Sequence, residues 1–283
     1  MTEKRSPVAS GRFYPSEKNS LKKKIENCFE HERGPGKPVG KEKSSFLAGV
    51  VPHAGYDFSG PCAAHVYQKI GSKREFENAV VLGTLHSAAG GIFLDDRDYV
   101  TPLGDIENVF KNTEKDVFPV ERDYFNREHS IEVQLPFLQY LRDDFSFLPV
   151  GVSSTDFGDL KKGAEKLAKS LDMDKTIFIA SSDLTHCGMR YGQAPPKNMS
   201  AGEFAREQDE KAIKRVLARE PEKLLETVKK HDITMCGAHA VAMMLQIIGD
   251  REVTGELLCH YTSSDITGGG DAVGYAGISF QET

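Results

Sequence analysis

The 283-residue sequence predicts a layered α/β protein in which helices flank a central β-sheet. Short apolar runs of strand length alternate with longer segments whose apolar residues recur at helical spacing. Hydrophobic residues make up 39% of the chain and charged residues 28%, which is the composition of a globular protein able to bury a large core. We therefore expect residues 1–283 to form a single domain.

Six apolar runs have the length and flanking residues of strands: Phe46–Pro52, Ala79–Leu85, Phe145–Val152, Thr176–Ala180, Glu256–Tyr261 and Tyr275–Phe280. Four segments have helical periodicity: Asp159–Leu171, Glu203–Glu220, Pro221–Lys230 and Gly237–Gly249. The last of these helices is apolar on nearly every side, which predicts a position in the interior. Glu32–Ser45 is rich in glycine, proline and lysine and is predicted to be a surface loop.

Composition argues against several classes of partner. The net charge of −6 and the isoelectric point near 5.9 provide no broad basic surface, so we expect no nucleic-acid partner. The polar start of the chain and the lack of any long apolar run predict a cytoplasmic protein with no membrane association. Five cysteines, an odd number with no CxxC spacing, argue against a disulfide framework.

Polar residues follow three of the predicted strands at the point where each strand ends. His53 and His86 each stand directly after an apolar run, and a third run is followed by Asp183 and His186. Ligands of open α/β sheets bind outside the carboxyl ends of the strands, so these side chains are predicted to meet at one crevice.

Two further segments carry candidate groups. Cys236 stands at the start of the predicted buried helix, where a helix N-terminus lowers the pKa of a thiol and favours a thiolate ligand or nucleophile. A small buried apolar residue is the alternative interpretation of Cys236. Glu128, His129 and Glu132 are spaced to share a helical turn, either as an exposed charged turn or with Glu128 and His129 supporting a nearby ligand.

Other motifs point away from common enzyme classes. The glycine-rich segment Thr267–Gly277 is not followed by a helix, so it predicts a turn between two strands rather than a dinucleotide site. Ser181 and Ser182 lack the GxSxG frame of a hydrolase nucleophile. The remaining histidines are assigned to the surface or to ordinary packing: His31, His65, His231, His239 and His260.

The sequence resembles a known family in seven motifs that span nearly the whole chain. GRFYP, VPHAGYDFSG, LGTLH, EHSIEVQLPF, SSDLTHCG, MCGAHAV and YTSSDITGGGDAVGYAG look like the Memo family in content and order. The likeness is greatest to the archaeal and bacterial members named as protein B of the AmmeMemoRadiSam system, which implies other proteins of that system as candidate partners. It also implies a fold similar to that of the class III extradiol dioxygenases, whose non-haem iron is held by two histidines and a carboxylate.

The resemblance implies roles for individual residues. His53 and His86 match the two metal-site histidines of the family, and Cys236 matches the cysteine that stands where the dioxygenases have a glutamate. Asp183 and His186 match the SSD-x-x-H segment, with His186 as the catalytic acid/base. A thiolate is softer than a carboxylate and shifts metal preference toward Cu(I), zinc or a redox-active thiol–metal unit.

These observations support one leading hypothesis and two alternatives. The leading hypothesis is redox chemistry on a small-molecule or peptide substrate at one iron or copper ion, held by His53, His86 and Cys236, with His186 oriented by Asp183. The first alternative is a non-catalytic peptide- or protein-binding module that uses a vestigial dioxygenase-like cleft. The second is a zinc-dependent hydrolase.

Overall fold

Eight strands form the main β-sheet in the structure, a computed structural model that describes residues 3–37, 45–71, 76–88, 90–109, 117–142 and 144–283. In chain order the strands of this sheet are β2 (Phe46–Val51), β3 (Asn78–Thr84), β4 (Ile92–Leu94), β7 (Ser146–Val152), β8 (Thr176–Ser181), β9 (His186–Cys187), β10 (Val253–Thr262) and β11 (Ala272–Glu282). A separate small sheet contains β1 (Lys4–Arg5), β5 (Asp98–Thr101) and β6 (Gly104–Ile106).

The centre of the main sheet is parallel and its edges are antiparallel. The strand order is β10-β11-β2-β8-β3-β7-β4, with β9 paired to β11 beside this path. Strands β2, β8, β3 and β7 run in the same direction, whereas β11 and β4 run against their neighbours. The carboxyl ends of the four parallel strands therefore lie along one edge of the sheet.

Helices cover both faces of the sheet. The described helices are α1 (Lys18–Glu30), α2 (Gly60–Gly71), α3 (Arg122–Phe125), α4 (Leu135–Leu141), α5 (Phe157–Lys169), α6 (Ala201–Leu217), α7 (Pro221–Lys230), α8 (Ala238–Ile248) and α9 (Ser264–Thr267). Within β3, Ala79 and Val81 pack with α1, α2 and α4, while Val80 and Leu82 pack with α5 to α8. This alternation is the pattern of a strand buried on both faces, and it confirms the predicted α/β fold class.

The buried helix α8 is placed by a close contact with the end of β8. Gly237 caps the start of α8, and a Cβ atom added there would lie 2.5 Å from Cβ of Ser182 and 2.6 Å from the carbonyl oxygen of Ser181. Only glycine permits this approach without a shift of the backbone. The contact brings Cys236 to the edge of the sheet where β8 ends.

A buried carboxylate attaches the N-terminal segment to the rest of the molecule. Glu132 accepts hydrogen bonds from Arg5 Nη1 at 2.8 Å, from the Tyr14 hydroxyl at 2.6 Å and from the backbone N–H groups of Val8 and Ala9, each at 2.8 Å. Glu132 is completely buried, so the interpretation of this segment as an exposed charged turn is wrong. Its carboxylate fixes the N-terminal segment beside the candidate site.

All six predicted strands and all four predicted helices are present, with ends shifted by up to three residues. The segment Thr267–Gly277 contains the predicted connection between two strands, although the short helix α9 begins before it. Residues 38–44 of the predicted loop Glu32–Ser45 lie outside the described residues. No helix in the described part of the chain is both long enough and apolar enough to span a membrane.

Candidate metal centre

The ends of three parallel strands carry the candidate site. His53 follows β2, His86 follows β3 and Asp183 follows β8, while Cys236 directly precedes the residue that caps α8. The ligand atoms of His53, His86 and Cys236 lie within 4.8 Å of one another. Sγ of Cys236 is 3.2 Å from Nε2 of His53. The structure thus brings together the three residues that the sequence proposed as metal ligands.

The tautomer of His53 follows from a buried hydrogen-bond network. Oγ of Ser181 donates its only proton to the carbonyl oxygen of Ser130 at 2.6 Å and accepts from Nε2 of Gln134 at 2.7 Å. Nδ1 of His53, 3.0 Å from the same Oγ, must therefore be the donor. Burial lowers the pKa of His53 to about 4, so the neutral ring directs the lone pair of Nε2 toward Cys236.

The Ser181 hydroxyl is expected to stabilise the folded protein and to fix the orientation of the His53 imidazole. Ser181→Ala leaves the buried donors and the acceptor around Oγ without that partner, and we expect the free energy of unfolding to fall by about 2 kcal/mol in urea denaturation. Ser279→Ala is the matched control, because the Ser279 hydroxyl is buried but has no hydrogen-bond partner among the described residues. We expect that control to change stability by less than about 0.5 kcal/mol; equal losses in both variants would contradict the network.

The orientation of His86 is set by a buried carboxylate. Oε2 of Glu128 accepts from the backbone N–H of His86 at 3.0 Å and from its Nδ1 at 2.9 Å. Oε1 of Glu128 accepts from the N–H groups of His129 and Ser130, both at 2.8 Å. The hydrogen bond with Glu128 raises the pKa of His86. Burial alone would raise the pKa of Glu128, but these hydrogen bonds lower it to about 2. Nε2 of His86 stays available as a ligand.

His129 is a third imidazole in the cleft. Its ring stacks on His86 with centroids 5.2 Å apart and meets the edge of His53 at 5.4 Å, and Phe13 packs against its other side at 4.4 Å. Burial lowers the pKa of His129. The sequence proposed a supporting role for His129, and the structure places its ring beside both candidate ligands instead of at a distance behind them.

His186 lines the same cavity but is oriented differently from the expectation. Nδ1 of His186 donates to the carbonyl oxygens of Leu184 at 2.9 Å and Thr234 at 3.0 Å. Oδ1 of Asp183 instead accepts from the backbone N–H groups of His53 and the residue after it. The expected orientation of His186 by Asp183 is therefore wrong, because two main-chain carbonyl oxygens hold the His186 ring while Oδ1 of Asp183 fixes the turn after β2. Thr234 supplies the contact that the sequence did not reveal.

The environment of Cys236 also differs from the expectation of a helix-lowered pKa. Sγ of Cys236 lies 3.6 Å from the carbonyl oxygen of Asp183 as well as close to His53. Burial, followed by the negative charge of Asp183, raises the pKa of this thiol. The effect of burial exceeds that of the adjacent helix start, so a cation is needed to hold Cys236 as a thiolate at neutral pH.

The donor set fits a soft or borderline metal ion. Two imidazoles with free Nε2 lone pairs and one thiol are the ligand types that zinc, copper and iron accept. An imidazole nitrogen and a thiolate bound to one ion at about 2.0–2.3 Å lie roughly 3–4 Å apart, and the 3.2 Å between His53 and Cys236 matches that spacing. His53, His86 and Cys236 can therefore hold a metal ion together.

A cavity of about 620 Å³ opens over the two histidines of this set. His53, His86, His129 and His186 line its floor and walls, and the Thr267–Gly277 segment contributes to its rim. Such a volume is in the range of small-molecule sites. The site therefore combines the candidate metal ligands with space for an additional molecule.

The fold and the cleft define an α/β protein with a candidate metal site of two histidines and one cysteine at the ends of parallel strands. The model of the Memo family, described as Memo-like protein, matches residues 5–279. The chain belongs to the Memo family.

Relatives over the full length agree with this assignment. The chain is 36% identical to a MEMO1 family protein of Methanopyrus kandleri, over 98% of this chain and 99% of the relative. It is 37% identical to a MEMO1 family protein of Methanococcus maripaludis over 97% of this chain and 99% of the relative. A MEMO1 family protein of Nitrosopumilus maritimus is 33% identical over 98% of this chain and 99% of its own length.

Proposed function

We propose that this Memo family protein binds one iron or copper ion through His53, His86 and Cys236 and carries out a redox reaction at that ion. The observation that supports the proposal most directly is the convergence of three ligand atoms within 4.8 Å. Both imidazoles are held through Nδ1, by Ser181 and Glu128, so that each presents Nε2. Preorganised lone pairs of this kind favour metal binding over ordinary packing.

The choice of a redox metal is argued from the ligand set. Iron or copper, when bound, supplies electron transfer to or from a substrate, and a thiolate ligand suits Cu(I) and iron better than a hard cation. His53, His86, His129 and His186 line the same cleft, which leaves space beside the candidate ligands for a substrate. The unknown substrate is a small molecule or a peptide end that fits about 620 Å³.

Proton transfer is assigned to the remaining imidazoles. Because Nδ1 of His186 donates to two main-chain carbonyl oxygens, Nε2 is the nitrogen that can accept or donate a proton in the cleft. His129 lies beside His53 and His86 with a lowered pKa, so it is neutral at pH 7 and able to accept a proton. Asp183 acts through the backbone turn at His53 and stays a positioning residue.

Metal content is the test of this function. Protein purified without oxygen and offered limiting Fe(II), Cu(I) and Zn(II) is expected to retain about one equivalent of iron or copper by mass spectrometry. The bound ion is further expected to undergo reversible one-electron oxidation, which electron paramagnetic resonance can detect. Retention of zinc alone, with hydrolytic activity that does not need oxygen, would instead support the zinc hydrolase. Failure to retain any of the three ions would contradict a metal function.

A binding function for the same cleft is the second candidate, because apolar side chains are exposed at its mouth. Phe58 is 38% exposed and Tyr191 43% exposed, and both line the cavity, while the neighbouring Met189 is 99% exposed. Exposed aromatic residues at a rim are typical of protein-binding surfaces. A peptide or another protein of the AmmeMemoRadiSam system is the proposed ligand, and its binding is expected to survive His53→Ala; co-purification that depends on metal would contradict this candidate.

A further inference from the structure

Two cysteines and a histidine form a second cluster of reactive groups between α2 and β10. Cys259 lies in β10 opposite Gly277 of β11, and Cys62 lies in the first turn of α2 above the same glycine. A Cβ atom added to Gly277 would lie 3.0 Å from the carbonyl oxygen of Cys62 and 3.7 Å from its Sγ. The glycine therefore leaves the space in which the two cysteine side chains approach each other.

The two cysteines pack against each other. Sγ of Cys62 lies 3.9 Å from the carbonyl oxygen of Cys259, and both residues belong to one apolar cluster. Cys62 is fully buried, whereas Cys259, in the edge strand of the sheet, is partly exposed. The pair thus combines one buried cysteine with one that lies nearer the surface.

His65 lies one helical turn after Cys62, and its Nε2 donates to the carbonyl oxygen of Arg33 at 2.9 Å. This contact fixes the proton on Nε2 and leaves Nδ1 with a lone pair that can accept a proton. Because His65 also helps to lower the pKa of Cys259, its assignment to ordinary packing is incomplete.

The environments of the two sulfurs are opposite. The neighbouring Cys62 and His65 side chains lower the pKa of Cys259 to about 5, while burial raises the pKa of Cys62. By comparison, burial raises the pKa of Cys28 to about 12 and also raises that of Cys187. A thiolate beside a protonated thiol has the arrangement of an attacking and a resolving cysteine.

We propose that Cys259 and Cys62 form a peroxide-reactive modification site, separate from the candidate metal centre. The sulfur of Cys259 attacks one oxygen of hydrogen peroxide; an S–O bond forms, the O–O bond breaks and water leaves after protonation. The sulfur of Cys62 then attacks the sulfenic sulfur, a disulfide forms and a second water leaves. Two thiols and one peroxide give one disulfide and two waters, so the thiols are oxidised by two electrons.

The disulfide would form directly behind one wall of the cleft. Cys62 and Cys259 pack in one apolar cluster with Ala54, Val273 and Tyr275, and all three of these residues also line the cavity. Bond formation in this cluster is therefore expected to change the wall of the cleft while leaving His53, His86 and Cys236 unmodified.

Peptide mapping tests the site. The full chain carrying Cys236→Ser, freed of metal so that the other reactive thiol is absent, is treated with about one equivalent of hydrogen peroxide, alkylated and digested without reductant. We expect a Cys62–Cys259 disulfide peptide, with Cys28 and Cys187 alkylated as thiols. We also expect Cys259 to react at least about tenfold faster than Cys28. Equal oxidation of all cysteines, or a disulfide that excludes Cys259, would overturn the proposal.

Single variants separate the two steps. With Cys62→Ser added, the sulfenic acid on Cys259 is expected to persist and to be trapped by dimedone. With Cys259→Ser added, neither a disulfide nor a dimedone adduct at Cys62 is expected, and Cys187→Ser serves as the control that leaves the disulfide intact. If one of these double variants fails to fold, the peptide mapping of the chain that carries only Cys236→Ser still decides the proposal. The outcome does not depend on metal binding, so it can fail or succeed independently of the proposed redox function.

Discussion

Replacing Cys236 with serine is expected to lower the affinity for Zn(II) and Cu(I) by more than about 100-fold while the chain remains folded. Loss of a group that only orients a metal ligand reduces affinity roughly 10- to 100-fold, and Cys236 is a proposed ligand itself. A serine hydroxyl is a hard, weakly acidic oxygen that does not replace a thiolate. The affinity is measured by competition with a chelator of known strength, and folding is followed by circular dichroism.

Cys28→Ser is the matched control for this prediction. The thiol of Cys28 lies 3.7 Å from the carbonyl oxygen of Tyr56, much as the thiol of Cys236 lies 3.6 Å from that of Asp183. Cys28 belongs to α1, whereas it is Cys236 whose ligand atom converges with those of His53 and His86. We expect this control to retain the metal affinity of the unmodified chain. An unchanged affinity in Cys236→Ser would remove the thiol from the proposed ligand set.

Glu128→Gln is expected to lower both stability and metal affinity. The carboxylate accepts four N–H donors, and an amide presents an NH₂ group to some of them, so we expect a loss of about 2–3 kcal/mol in the free energy of unfolding at pH 5.5. His86 also loses the partner that holds its ring, so metal affinity at pH 7 is expected to fall roughly 10- to 100-fold. Both quantities are measured on the same preparation.

The pH profile of stability distinguishes this carboxylate from an ordinary one. The pKa of Glu128 is lowered from 4.5 to about 2 on folding. Its ionisation therefore contributes to the free energy of unfolding above pH 4.5, and this contribution is lost as the pH falls toward 2. The raised pKa of His86 has the opposite sign: its contribution is present below pH 6.5 and is lost as the pH rises through the folded-state pKa. The pair therefore stabilises the fold most between these limits, and Glu128→Gln is expected to remove that maximum.

The exposed pair of Glu77 and Lys175 provides the control for Glu128→Gln. Oε1 of Glu77 accepts from Nζ of Lys175 at 2.7 Å, and both side chains are more than half exposed. Because solvent screens such a pair, we expect Glu77→Gln to change the free energy of unfolding by less than about 0.5 kcal/mol at any of these pH values. Similar pH profiles for the two variants would show that burial at Glu128 has no special effect.

The positions of the site residues were predictable because they depend on strand ends. A strand that is buried on both faces is a continuous apolar run, and the first polar residue after it is visible in the sequence, as at His53 and His86. Cys236 required the family resemblance in addition, because nothing local shows that the start of α8 packs on the end of β8. The helix α8 itself was evident from its apolar composition.

The supporting contacts were not predictable, because they join residues far apart in the chain. Ser181 and Glu128 hold the two imidazoles over separations of 128 and 42 residues. The ring of His186 is held by the carbonyl oxygens of Leu184 and of Thr234, 48 residues away, rather than by the nearby Asp183. Helices α1 and α2 were also missed; α1 has an apolar stripe at Leu21, Ile25, Cys28 and Phe29, but its many lysines weaken the signal.

The long separations within the cleft determine when it can form during synthesis. Phe13, which packs on His129, belongs to the N-terminal segment. Arg5 of that segment binds Glu132, 127 residues later in the chain, and His53 contacts Cys236, 183 residues later. Closing such distant contacts is slow and requires both partners to have left the ribosome. An emerging chain therefore exposes His53 and His86 long before Cys236 exists, and binding of an ion by the complete proposed ligand set must follow translation of Cys236, 183 residues after His53.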